Sequence, residues 1–566
     1  MLCQNWIENC RAKHKDCYPQ TGADYRLPTR LLDLGISKDI VRLCIGRDLP
    51  DHTSYMTLSH CWGKSGLDGE FKMLTNSTLG SLINGISIQL LSRTFQEAIS
   101  ISRSLGSRYL WIDALCIIQE DTEDWAREST SMTTVYGFSQ LNIAASAASK
   151  GSEGCFQTRD PALIRTVKVN IVVDTSKLRS MIALCSPNWR RLTSQIQSSP
   201  LAQRAWAFQE TYLAARTLYF TGTQIWWGCA QHMCCEMFPQ GLLRKGWRPT
   251  ILKSRDEEYG RVNHWYSIVD LFSKGCLTFE SDKLVSLSGV ARHYSQLYNM
   301  IEEDYLAGLW RPYLVDEICW VPEGCYRSSR QHSIPTWSWA SVIPMAGYRN
   351  KLNNGNMGGI TRRHLKQPQQ FCAKVLEAGV ERVHDPYGAV QGGFIRLKCE
   401  TLIQWPLGDM MMDQPNPDSF VSAHPLGYCY MEENLSDTQG PLFLLRIKMS
   451  LSKLEGSDQV RGSQYCCLVV EAVLGGTGVY RRIGIAQMHD GYLDYLEGKE
   501  EALGINSEDR LWYYSMRGPS KFGDLQDKSW FMLASSTPTL CIDGTSYEES
   551  LGPNEVGTLE YILKLI

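Results

Sequence analysis

The run Tyr109-Leu-Trp-Ile-Asp-Ala-Leu-Cys-Ile-Ile118 is almost unbroken in apolar residues. A strand with one wet face would alternate, so this run reads as a strand covered on both faces. Just ahead of it, Phe95, Ala98, Ile99, Ser102 and Leu105 recur at helical spacing, and Gly106 supplies a left-handed stop. A helix that feeds a doubly covered strand through a short loop predicts a parallel α/β sheet flanked by helices.

The same plan recurs on either side. "YMTLSHCWG" (55–63) reads as a buried strand followed by a loop. Asp121 or Thr122 caps a helix carrying Trp125, Glu128, Met132 and Tyr136 on one face, and "LNIAAS" is then a short strand. A further helix, 202–215, leads into the candidate strand "RTLYF" (216–220). These elements outline an α/β domain over 50–235, after an N-terminal helical extension over 1–49. A helical region follows over 236–345, then a Gly/Asn-rich linker or long loop over 346–370. Alternating runs such as "FIRLKCETLIQW" and "YCCLVVEAVL" predict a β-rich domain over 371–566. A chain of 566 residues is too long for one core.

Composition removes several functions. The net charge of −3 and the lack of any Lys/Arg run argue against a nucleic-acid partner. No run approaches the apolar length of a membrane span, and the N-terminus lacks the apolar core of a signal peptide. The twenty cysteines are scattered, so we expect reduced, buried thiols in a cytoplasmic protein. No metal is expected. The place that comes nearest is Cys10-x3-His14-x2-Cys17, with Cys3 upstream; the spacing is not that of a standard finger, and no fourth ligand is evident. The competing reading packs Trp6, Cys10 and Cys17 on the main domain.

Chemistry is expected where carboxylates break an apolar helix face. In "QRAWAFQETYL" (203–213), Glu210 shares a face with Ala202, Trp206 and Leu213. Glu128 repeats the pattern beside Trp125 and Met132. A carboxylate against an aromatic wall suits a reaction that develops positive charge, such as an oxocarbenium ion at a sugar anomeric carbon. The alternative is internal ion pairing, with Arg204, Arg216 or Arg93. Asp113, inside the apolar run, is expected foremost to anchor structure and otherwise to serve a site. His60 borders the crevice that opens at the C-terminal ends of parallel strands; its neighbour Cys61 points the opposite way and forms no dyad with it.

"LSHCWG" (58–63), "YLWIDALCIIQEDTEDWARES" (109–129), "MTTVYGFSQLNIAA" (132–145) and "RAWAFQETYLAARTLYF" (204–220) resemble the successive blocks of the fungal heterokaryon-incompatibility (HET) domain. "LPTRLLDLG", "SDKLVSLSGVA" (281–291) and "PTWSWAS" (335–341) are similar to its flanks, and Glu120 stands where the family more often has Asp. The resemblance implies a fungal cytoplasmic protein of non-self recognition, whose incompatible pairing triggers programmed cell death. It also implies a TIR-like fold, since HET domains are distantly similar to Toll/interleukin-receptor domains, some of which hydrolyse NAD. The spacing Trp206-x-x-x-Glu210, with Ser199 upstream and Ala207 in place of a cysteine, is like the TIR catalytic-glutamate pattern.

On this resemblance Glu210, His60 and Asp113 are the candidate catalytic residues. Trp62, Gln119, Asp121, Arg204, Trp206 and Gln209 are the candidate substrate-binding residues, and Trp125, Glu128 and Tyr136 a structural motif. NAD is then the substrate and no cofactor is required. The partner is a protein of the incompatibility system or a second copy of the chain. Two other roles stay open: a non-enzymatic signalling or oligomerisation module, and an accessory protein or enzyme of a fungal secondary-metabolite gene cluster.

Overall fold

The computed structural model describes residues 2–17, 25–63, 71–165, 167–174, 179–185, 195–241, 257–322, 330–331, 333–343, 360–362, 369–399, 402–404, 421–424, 427–431, 438–453, 460–474, 478–489, 549–553 and 559–566. The chain forms two units, Met1–Met300 and Ile301–Ile566.

The first unit is α/β. Helix α1 (Leu2–Lys13) precedes strands β1 (Arg30–Asp33), β2 (Ile40–Ile45) and β3 (Tyr55–Ser59). Helix α2 (Leu79–Asn84), the short β4 (Ile86–Ser87) and α3 (Arg93–Ser104) lead to β5 (Tyr109–Ile112). A single turn, α4 (Asp113–Cys116), and α5 (Thr122–Gly137) lead to β6 (Leu141–Ala144). A hairpin of β7 (Val167–Asp174) and β8 (Arg179–Cys185) stands apart from the main sheet. Then come α6 (Ala205–Leu213), β9 (Arg216–Phe220), β10 (Ile225–Cys229), β11 (Met233–Cys235), α7 (Glu257–Ser273) and α8 (Val285–Tyr298).

The nine-stranded sheet runs β11-β10-β9-β6-β3-β5-β1-β2-β4. Its centre, β9-β6-β3-β5, is parallel. Both flanks are antiparallel, because β1–β2 and β9–β10–β11 are joined by connections too short to cross over. The sheet is therefore mixed, not wholly parallel. It also takes in β1 and β2, which lie in the stretch expected to be a helical extension.

Local signals explain the central elements. Ser92 accepts a hydrogen bond from Phe95 N at the start of α3 (3.4 Å), and Gly106 takes φ +79° just beyond its end. Asp121 Oδ1 accepts hydrogen bonds from Glu123 N and Asp124 N, each at 3.0 Å, and so starts α5. The strand expected over 109–118 ends at Ile112. Asp113 Oδ1 accepts from Ala114 N (2.7 Å) and Asp113 O from Ile117 N (3.0 Å), turning the chain into α4. Residues 114–118 stay buried after this turn, so an apolar run alone does not reveal where the strand stops.

The second unit is β-rich. Its main sheet has eleven strands, including Ala373–Arg382, Val390–Cys399, Leu442–Lys453, Val460–Ala472 and Val479–His489. Residues 335–341, expected in a helical region, belong to this unit and form a short turn of helix at Trp339–Ser341. Buried Arg482 stacks on Trp320 at 3.6 Å and donates to its carbonyl at 2.7 Å. The linker expected over 346–370 lies outside the described residues except for 360–362 and 369–370.

Candidate functional site

His60 follows β3 and Asp113 follows β5, and these strands are parallel neighbours in register Leu58↔Ile112. Parallel pairing therefore sets the two residues side by side at the C-terminal edge of the sheet. His60 Nδ1 lies 3.5 Å from Asp113 Oδ1. Trp62 Nε1 donates to the other carboxylate oxygen, Asp113 Oδ2, at 3.0 Å. Phe95 of α3 packs its edge against the imidazole, with ring centroids 4.9 Å apart. Burial pushes the His60 pKa down to about 4, against the pull of Asp113, so the ring is neutral near pH 7. Among the described residues, neither ring nitrogen makes a hydrogen bond.

Arg204 and Glu210 come from the start and middle of the α6 segment. Ala205 N donates to Cys276 O at 3.0 Å, and Cys276 N donates to Gln203 O at 2.5 Å, pinning the backbone around Arg204. Gly275 permits that approach, since a Cβ there would stand 2.6 Å from Ala205 Cα. Arg204 then donates to the carbonyl of His60. Ala202 lies in the turn Leu201–Gln203 ahead of α6 and not on its face.

Glu210 is 3% exposed. Burial raises its pKa to about 7, opposed by the charge of Arg204 and by hydrogen bonding with Ser59 and Tyr136, while the Asp113 charge pushes the same way as burial. Its Oε2 has no hydrogen-bond partner among the described residues. The cluster thus holds two carboxyls, one guanidinium and one neutral imidazole. A carboxyl near pKa 7 exchanges a proton at neutral pH, which is the property of a general base or acid.

The other expected residues divide. Trp125 and Trp206 meet edge to face at 6.2 Å, so the two Trp/Glu helix faces join. Gln209 Oε1 accepts from Gly289 N at 2.8 Å and ties α6 to α8. Gln119 Nε2 donates to Asp113 O (3.0 Å) and Ile117 O (2.9 Å), bracing the turn below Asp113. Asp121 is the α5 cap described above. Ser199 Oγ bonds to Ile196 O at 2.7 Å, within its own turn. Arg93 pairs with Glu97 at 2.7 Å. Arg216 donates to Cys10 Sγ, a separate location.

Glu128 belongs to a different network. Arg30 grips Asp124 with two hydrogen bonds (3.0 and 2.6 Å), Asp124 accepts from Ile118 N (2.8 Å), and Arg127 Nε stands 3.7 Å from Glu128. Burial raises the Asp124 pKa, but the Arg30 bond, the Ile118 amide and the arginine charges bring it below the usual carboxylate range. Glu128 is raised, by burial first, against a hydrogen bond with Thr29 and the charge of Arg30.

Several functional neighbours escape a reading of the sequence. Ser59 and Asn142 bond across β3 and β6 (3.0 Å), forming a buried polar floor near Glu210. A serine and an asparagine in otherwise apolar strands were the available signal. Cys229 of β10 joins Cys10, His14 and Cys17, all four ligand atoms lying within 4.8 Å of one another. Cys3 is outside that group. A residue more than two hundred positions away carries no local spacing signal.

Among the described residues, no helix is long and apolar enough to cross a membrane. No curated protein and no solved structure matched the chain. The family model described as "Heterokaryon incompatibility protein (HET)" matches residues 55–210, the stretch that runs from β3 to Glu210 and so contains His60, Asp113, Arg204 and Glu210. Residues 55–210 thus form a HET domain, which lies within the α/β unit.

Proposed function

We propose that this protein is a cytoplasmic effector of fungal non-self recognition that triggers programmed cell death, and that its α/β unit acts in the TIR-like manner by hydrolysing NAD at the Glu210 cluster. The carrying observation is a set of buried polar atoms that, among the described residues, make no hydrogen bond: Glu210 Oε2 and both His60 ring nitrogens, with Asp113 Oδ1 3.5 Å from Nδ1. Buried polar atoms are nearly always satisfied, and clustered exceptions mark ligand sites. The cluster has an outward edge, since the Asp113 side chain is 18% exposed and Trp62, bonded to it, is half-buried.

In this reading the nicotinamide ribose enters beside Trp62 and Trp206. Water attacks the anomeric carbon as the carbon–nitrogen bond breaks, and its electron pair leaves with nicotinamide. Glu210 in its ionised form stabilises the ribosyl cation and takes the proton lost by water. Neutral His60 supplies hydrogen bonds to ribose hydroxyls. Asp113 orients Trp62 and adds negative potential.

One observation favours a second reading. Glu210 is nearly inaccessible and lies beside Arg204, as in a structural ion pair of a non-enzymatic signalling module. Induced expression in fungal hyphae separates the two. We expect wild type to kill and Glu210→Gln, at equal protein level, not to kill. Equal killing by both would assign the output to docking or self-association.

A further inference from the structure

We infer that Cys10, His14, Cys17 and Cys229 form a structural zinc site that fastens the N-terminal helix to the far hairpin of the sheet. The four donors come from three places: α1 supplies Cys10, the segment after it His14 and Cys17, and β10 Cys229. Their ligand atoms lie within 4.8 Å of one another. A tetrahedral zinc with sulfur at about 2.3 Å sets its ligands roughly 3.7 Å apart, a spread that small side-chain rotations reach from here. His14 Nδ1 already lies 3.5 Å from Cys229 Sγ.

The surroundings fit an anionic metal–thiolate group better than three neutral thiols. Arg216 is 2% exposed, and its Nε donates to Cys10 Sγ at 3.2 Å. Zinc with three thiolates and one neutral imidazole carries a single negative charge, which this guanidinium balances. His232 N donates to Cys229 Sγ at 3.3 Å, and the His232 ring stacks on His14 at 4.6 Å, fixing the ligand plane. Cys10 and Cys17 are wholly buried, Cys229 is 3% exposed and His14 is half-buried. Four protein ligands without an open position make a structural site, not a catalytic one.

The site has work to do at this edge of the fold. Trp6 Nε1 donates to Pro239 O at 2.7 Å, and its ring lies 6.4 Å from that of Trp227. Trp6 and Ile7 are buried in the core of this unit, and the metal adds a covalent tie between α1 and β10 to that packing. A metal bridging Cys10 and Cys229 closes a loop of most of the α/β unit and stabilises it chiefly when bound to the folded state.

Elemental analysis of the purified full chain tests this. One zinc per chain is expected, lost in Cys229→Ser and kept in Cys155→Ala, a buried thiol outside the group. The wild-type chain, stripped and reloaded with cobalt(II), should show an intense sulfur-to-cobalt charge-transfer band and the visible bands of tetrahedral cobalt. That readout needs no variant and so stands even if Cys229→Ser fails to fold. Four results would overturn the inference: a reduced chain that holds no zinc and takes no cobalt, zinc retained by folded Cys229→Ser, iron in place of zinc, or a disulfide within the cysteine trio.

Discussion

Glu128 and Glu210 pose the same puzzle in sequence, a carboxylate on an aromatic helix face, and the fold treats them differently. Around Glu128, two guanidiniums, Arg30 and Arg127, face two carboxylates, Asp124 and Glu128. The charges balance, and the bidentate Arg30–Asp124 pair joins β1 to α5. Around Glu210, a single guanidinium faces Glu210 and Asp113, and the imidazole stays neutral. One carboxyl there is left short of a cation, and its pKa rises to about 7. The helix faces look alike, and burial raises both glutamates, but two guanidiniums stand at the first and one at the second, which on the proposed function leaves Glu210 the carboxyl available for chemistry.

Breaking the balanced site should cost most. Arg30→Met strands Asp124 and Glu128 without their main cation, and a loss of about 3–5 kcal/mol is expected in urea unfolding. A loss below ~1 kcal/mol would show that the network is solvated and the comparison unsound.

The pH dependence of stability sharpens the other side. Glu210 titrates near 7 when folded against 4.5 in its reference state, so its contribution is present below pH 4.5 and lost as pH rises through 7. His60 titrates near 4 against 6.5, so its contribution is present above pH 6.5 and lost as pH falls through 4. The two slopes oppose one another between about pH 4.5 and 6.5 and nearly cancel in wild type. Glu210→Gln should unmask His60, with stability rising by up to ~3 kcal/mol over that window in urea midpoints. An unchanged slope would mean that Glu210 is a fully ionised pair member. Glu128→Gln, at the balanced site, should leave the His60–Glu210 cancellation intact.

Smaller effects follow from the contacts that join the two faces. Gln209→Leu removes the side-chain hydrogen bond that ties α6 to Gly289 of α8 and should cost about 0.5–1.5 kcal/mol, read as a lower melting temperature. A double-mutant cycle of Trp125→Ala and Trp206→Ala should return a coupling of about 0.5–1.5 kcal/mol for the edge-to-face pair. Zero coupling would mean that the faces only adjoin.

Much of the scaffold was legible because local chemistry set it. Gly106, Asp121 and the apolar strand cores marked α3, α5, β3 and β9 without reference to the rest of the chain. Asp113 was misplaced within a strand because the apolar run continues through α4, and burial on both sides hides the change of period. Of the site, His60, Asp113 and Glu210 were legible as oddities of polarity at strand ends or on apolar faces, and Arg204 as an ion-pair partner for Glu210. Their assembly was not, since it depends on strand pairing and on the Cys276 clamp across some seventy residues. Asp121 and Gln119 fill local backbone roles and Gln209 ties α6 to α8, roles that a polar residue near a site does not advertise in sequence.

On the proposed function, the under-neutralised cluster performs chemistry on NAD. Purified protein incubated with NAD at neutral pH, at concentrations that allow self-association, tests it through nicotinamide release. Wild type should release nicotinamide with turnover, and Glu210→Gln, folded to the same unfolding midpoint at pH 7, should lose at least a hundredfold of that rate. Equal release by the two proteins, or none by wild type, would contradict the account and leave Glu210 as a buried partner of Arg204.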